Sequence, residues 1–223
     1  MKEKKTFAKG ICFQKLFIFF VIGCLFGTYY EMILNFVRHL IKNGEIFWET
    51  RQGLIYGPFS PVYGIGAVII IWLLAEKNYK WWQTLIYGSL LGGITEYSLS
   101  LIQEIFAGTR SWDYSKYILD INGRTTLPIM LLWGLICLLF VKVLYPPISK
   151  KIESLPYKPA TIILNICVVL LSIDMFISFS AGIRQDLRRK EIPPYTFYGK
   201  FLDKYYTDER LAKVYKNVWV VNK

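Results

Sequence analysis

Five stretches of this chain, at about residues 12–37, 58–75, 81–106, 127–145 and 160–183, stay apolar for roughly 18 residues or more with few charges. No other feature restricts the fold so strongly. As a helix rising 1.5 Å per residue, a run of that length covers the ~30 Å hydrocarbon core of a bilayer. A soluble domain breaks its apolar residues into short amphipathic stretches instead. Composition agrees, since 54% of the 223 residues are hydrophobic and only 19% are charged, too little charge to cover a soluble surface. The sequence therefore predicts an all-α integral membrane protein. Its bundle of about five transmembrane helices has a re-entrant or extended Gly/Pro-rich stretch before the second helix. Residues 1–11 read as a basic N-terminal segment, 12–183 as the bundle, and 184–223 as a basic, amphipathic C-terminal tail.

The net charge of +11 would raise nucleic acid as a partner for a soluble protein. Here the Lys and Arg residues gather in "MKEKKTFAKGICFQK" and in the tail, which holds ten of them against five acids. Basic residues beside membrane helices serve orientation and contact with anionic lipid headgroups. No RNP, zinc-finger or helix-turn-helix pattern accompanies them, so the expected partner is the lipid bilayer and not nucleic acid. "VIGC" after a lysine-rich start resembles a lipoprotein signal. The apolar run continues through "LFGTYYEMILNF", however, so the first helix reads as retained.

Cys12, Cys24, Cys137 and Cys167 lie in or beside apolar segments without C-x-x-C spacing, and His39 has no partner at zinc spacing. No metal site and no cofactor is expected. G-x-x-x-x-G-K-[ST] is absent, so the chain is not itself an ATPase, and G-x-S-x-G, H-E-x-x-H and G-x-G-x-x-G are absent too. The motif inventory leans against an enzyme.

Only "EKNYK" separates the second and third apolar runs, which predicts a tight hairpin, and Trp81 and Trp82 mark an interfacial belt. "YPPISKKIESLPYKP" reads as a basic connection to the last span. In the tail, Thr207 before Asp208 and Glu209 predicts a helix start. Phe197, Phe201 and Tyr205 would form one apolar stripe there.

Glutamates interrupt this apolar pattern. With five spans, the first, third and fifth run the same way, and their far halves carry Glu31, Glu96 with Glu104, and Asp174. The connections emerging on that side carry Arg51, Arg110, Trp112, Asp113, Asn122 and Arg124. Glu96 and Glu104, eight residues apart, lie about 80° apart around a helix, so both can face one groove. Ionisable groups at membrane depth face a bundle interior and find partners. Arg51, Arg110 and Arg124 are the available counter-charges. The cluster reads either as a polar cavity for a cation, proton or headgroup, or as a brace of Glu–Arg pairs that pins loops to helices.

"FGTYYEMILNFVR", "RQGLIYGPFSPVYGIGA", "ITEYSLSLIQEIFAGTRSWDYS", "INGR" and "LLWGL" closely resemble a bacterial family of small integral membrane proteins, the putative ABC-transporter type IV components, also called putative ABC transporter permeases. The resemblance covers about residues 20–140, with an echo in "YTDERL". It maps the family's glutamates, its Gly/Pro stretch and W-D-Y-S onto Glu31, Gly53, Gly57, Pro58, Pro61, Tyr63, Gly64, Glu96, Glu104, Trp112, Asp113 and Tyr114. Its N-G-R falls on Asn122, Gly123 and Arg124, and Val62 stands where isoleucine is expected. The resemblance implies a multi-pass permease of the bacterial cytoplasmic membrane that works with a separate ATPase subunit. Two further readings stand beside it: a membrane-embedded lipid or envelope enzyme or lipid-handling protein, and a non-transporting scaffold or sensor.

Overall fold

The computed structural model describes residues 6–216 and 218–220, so the expected N-terminal segment and tail lie in part outside the described residues. Helix α1 (Phe13–Asn43) runs 31 residues and stops where Gly44 takes a left-handed conformation and donates its N–H to the Leu40 carbonyl. A non-helical stretch follows. Its Gly53 and Leu54 N–H groups both donate to the Phe59 carbonyl, at 2.8 and 3.1 Å. The Ser60 N–H then donates to the Cys24 carbonyl at 3.2 Å. Cys24 lies well inside α1, so this irregular chain returns alongside the helix before the next one begins.

That next helix, α2 (Pro61–Ile70), extends through a π turn at Ile71–Ala75. Ten residues plus five reach about 22 Å, short of the ~30 Å hydrocarbon core. Among the described residues, four helical rods are long and apolar enough to cross a membrane: Phe13–Asn43, Trp81–Ala107, Leu127–Glu153 and Tyr157–Arg189. The second apolar run forms the shorter helix Pro61–Ala75. Its missing length is taken by the Gly/Pro stretch, tolerable at membrane depth only where protein shields it. Leu54 and Ile55 are indeed buried.

Helix α3 (Trp81–Ala107) starts at the exposed Trp81 and Trp82 and ends at Gly108, again left-handed. The loop after it contains strand β1 (Thr109–Arg110) and a hairpin of β2 (Asp120–Ile121) with β3 (Thr125–Thr126). Asn122 and Gly123 both have positive φ in the hairpin turn, which suits an Asn-Gly pair.

Helix α4 (Leu127–Leu139), a π turn (Phe140–Leu144) and α5 (Tyr145–Glu153) make one rod. "YPPISKKIESLPYKP" is therefore mostly helix, a correction to the connection expected there. Pro146 and Pro147 lack N–H donors and would clash with carbonyls of a regular α-helix. The π turn just ahead of them locally re-spaces the backbone. Helix α6 (Tyr157–Arg189) runs past the expected end at 183. Lys15 is buried, bonded to Ser149 Oγ at 2.7 Å and ion-paired with Glu153, and so does not serve lipid headgroups.

The tail forms α7 (Phe197–Tyr205) and α8 (Asp208–Val214), and β4 (Trp219–Val220) pairs antiparallel with β1. Thr207 caps α8 as the sequence predicted, its side chain accepting from the Arg210 N–H. The buried face of α7 differs from the expected stripe. Leu202 and the following Tyr206 pack with Ile55, Ala181 and Leu211, while Phe197 is 88% exposed. Contact with α6 and the Gly/Pro stretch, one residue out of phase with the aromatic stripe, decides this.

Arg184 grips Asp203 through Nε and Nη2 at 2.8 Å each, and Arg188 adds a bond at 2.7 Å. The Arg184 contact first, then Arg188, holds the Asp203 carboxyl below the usual carboxylate range against the opposing effect of burial. A depressed pKa means that the contact stabilises tail docking above the unfolded value of about 3.9, and that this is lost as pH falls through the lower folded value. Below about pH 4, limited proteolysis of the solubilised protein is expected to cut progressively within 190–216. Asp203→Asn should be cut there already at neutral pH. An Asp203→Asn tail as resistant as wild type at both pH values would refute the assignment.

Candidate functional site: a cavity beside α1 and α3

Glu96 sits in the middle of α3 and is only 7% exposed. It accepts from Thr125 Oγ1 at 2.8 Å and from the Tyr114 hydroxyl at 3.1 Å. Burial, then the neighbouring carboxylate, pushes the Tyr114 phenol up, so it remains a protonated donor. Thr125 and Tyr114 come from the loop between α3 and α4, which therefore closes over Glu96.

Two turns along α3, Glu104 has a different environment. Its Oε2 accepts from Arg110 Nε at 2.7 Å and from Arg124 Nη2 at 2.6 Å. Arg124 Nη1 also donates to Ser100 Oγ at 3.2 Å, and its guanidinium lies 5.7 Å from the Tyr97 ring centroid. The Trp112 indole donates to the Arg124 carbonyl at 2.8 Å, and Asn122 Nδ2 to the Tyr97 hydroxyl at 2.9 Å. Together these contacts brace the loop along α3. Asp113 accepts from the Ser115 N–H at 2.9 Å, the main reason its carboxyl sits below the usual range. A Cβ on Gly123, whose φ is +68, would meet Asp113 Oδ1 at 2.6 Å, so that turn needs glycine.

Glu31 of α1 accepts from the Tyr63 hydroxyl of α2 at 2.8 Å. Tyr63 reaches it by lying over Gly27, where an added Cβ would stand 2.1 Å from the Tyr63 ring. On its other side Tyr63 packs against Trp133 of α4, with ring centroids 5.9 Å apart. Glycine at a helix crossing permits such close approach in a membrane bundle.

These elements border an open cavity of about 820 Å³. Of the residues singled out from the sequence, Glu31, Arg51, Glu96, Trp112, Asp113 and Tyr114 line it, together with Gly53, Pro61 and Tyr63. Glu104, Arg110, Asn122 and Arg124 form the adjoining brace. Gly57, Pro58, Gly64 and Gly123 shape turns and crossings away from the lining. The counter-charges are distributed unevenly. Arg110 and Arg124 both serve Glu104, whereas Arg51 pairs with Glu49 at 3.0 Å. Among the described residues, neither Glu31 nor Glu96 forms an ion pair.

Asp174 stands apart from the other acids. It accepts from the Tyr56 N–H at 3.2 Å and from Ser178 Oγ at 3.0 Å, and Ser178 Oγ in turn accepts from the Ile55 N–H at 2.9 Å. Its carboxylate, with Ser178, satisfies backbone N–H groups of the Gly/Pro stretch that have no helix or strand partner. Sequence reasoning also missed Asn35, Arg38 and Thr125. The first two could have been found from their spacing of four and seven residues after Glu31, which places them on its helical face.

A family model described as putative ABC-transporter type IV matches residues 18–179. No curated protein matches the chain, and no solved structure does.

Proposed function

Because this chain belongs to the putative ABC-transporter type IV family, we propose that it is the membrane-embedded permease component of a bacterial transporter, with the cavity beside α1 and α3 as its substrate site. A separate ATPase subunit in the cytoplasmic membrane supplies the energy. The single observation that supports this reading is the contrast among three glutamates. Glu104 is matched by two arginines, but Glu31 and Glu96, from two different helices, meet one cavity with no ion pair among the described residues, held by neutral donors such as Tyr63, Tyr114 and Thr125. Carboxylates at membrane depth are costly and mark pathways for substrates and ions. A brace needs its arginines; a binding site keeps its acids available to a ligand.

The test compares cells expressing wild type and Glu96→Gln at equal membrane levels, profiling solutes inside and outside by mass spectrometry. At least one solute should lose its protein-dependent accumulation or export by about ten-fold or more, roughly the loss of one charge-assisted contact. Glu104→Gln should affect stability more than solute distribution. An unchanged profile in the Glu96→Gln strain, with the protein correctly inserted, would refute the proposal.

A further inference from the structure

The cavity also has a basic side, and the chemistry of its ligand follows from the arrangement of both sides. This step rests on the reading of the cavity as a substrate site. Glu31, Asn35 and Arg38 all line the cavity from α1. Seven residues return a helix to within about 20° of its starting direction and advance it about 10 Å. One wall therefore carries a carboxylate and a guanidinium about a small molecule's length apart. Glu96 joins the acidic side from α3, and Arg51 joins the lining from the irregular stretch before α2.

Two details give these sides different ligand preferences. At the acidic side, Tyr63 and Tyr114 bond the carboxylates and Trp133 packs on Tyr63, so the acids have aromatic neighbours. Carboxylates set among aromatic side chains suit an organic ammonium group, which pairs with the acids and is attracted to the rings. At the basic side, Arg51 keeps its Nη2 on Glu49, but its Nε and Asn35 Nδ2 are buried with no hydrogen-bond partner among the described residues. Buried donors are rarely left unmatched in folded proteins, and these two suit an anionic acceptor.

We infer that the cavity binds a zwitterion, with an ammonium group at Glu31 and Glu96 and a phosphate or carboxylate at Arg38, Arg51 and Asn35. That chemistry belongs equally to a free solute and to a zwitterionic lipid headgroup. Leu99, Ile102 and Leu132 add an apolar wall that either could use.

Calorimetric titration of the full chain in a maltoside detergent tests this with phosphoethanolamine, ethanolamine, inorganic phosphate and dihexanoyl phosphatidylethanolamine. A probe carrying both charges should bind at least about ten-fold more tightly than ethanolamine or phosphate alone. Glu31→Gln should erase its advantage over phosphate, and Arg38→Gln its advantage over ethanolamine. Tighter binding of the short-chain lipid assigns a headgroup; tighter binding of phosphoethanolamine assigns a free solute. Ethanolamine binding as tightly as either zwitterion overturns the inference and leaves a cation site, with the transport reading intact. Heats absent for every probe, from protein that still unfolds cooperatively, overturn it as well. The transport reading is then decided separately by the Glu96→Gln solute profile.

Discussion

Replacing Arg124 by alanine is expected to destabilise the protein by about 3 kcal/mol, the lower end of what breaking a buried ion pair costs. Arg124 is 6% exposed and contacts Glu104, Ser100 and the Tyr97 ring at once. Its removal leaves the Glu104 carboxylate at the edge of the bundle with Arg110 as its sole cation. That remaining partner is why the loss falls at the low end. The brace also positions the loop whose Tyr114 and Thr125 close over Glu96, so the damage reaches the cavity. Denaturant titration in mixed micelles provides the measurement. The double variant Arg124→Met with Glu104→Leu should recover part of the loss, because removing both charges is gentler than stranding one. A single variant within about 0.5 kcal/mol of wild type would show that the pair contributes little.

Gly134→Ala is expected to cost about 1–3 kcal/mol, the usual range for forcing atoms into a packed core. An added Cβ there would stand 2.1 Å from Ser89 Oγ and 2.6 Å from the Leu85 carbonyl oxygen. The serine can rotate away, but the carbonyl belongs to the backbone of α3, so the helices must separate. Gly88 and Gly92 meet Cys137 and Trp133 across the same interface, which leaves no slack for the shift. Adding Ser89→Ala should therefore rescue Gly134→Ala only partly. Full rescue by Ser89→Ala, or an unaltered unfolding midpoint for Gly134→Ala alone, would show that the crossing is looser than described. Since α4 follows directly from Thr125 and Thr126, a wider crossing should also weaken the Thr125 contact to Glu96.

How legible a feature was depended on the distance over which its cause acts. The third span was expected at 81–106 and runs Trp81–Ala107, because an apolar run, an aromatic start and a C-terminal glycine are local signals. The Thr207 cap was legible for the same reason. The extent of α4 and α5 was not, since two prolines ordinarily end a helix and only the π turn keeps the rod continuous. Within the site, Glu31, Glu96 and Glu104 stood out as charges in apolar runs. Which of them would be paired did not, because Arg110 and Arg124 reach Glu104 only through the course of the loop and its hairpin. The contact of the buried Lys15 with Glu153, 138 residues apart, had no local signature at all.

By itself, the sequence determined that this chain is a helical membrane protein of a recognisable family, with acids set into apolar spans. The solvent dictates that much, since a bilayer demands long apolar helices and makes every charge within them conspicuous. Tertiary structure alone decided that one acid is neutralised while two others share a cavity. Ion pairing falls off within a few ångströms, and only the folded path of the loops sets which side chains come that close.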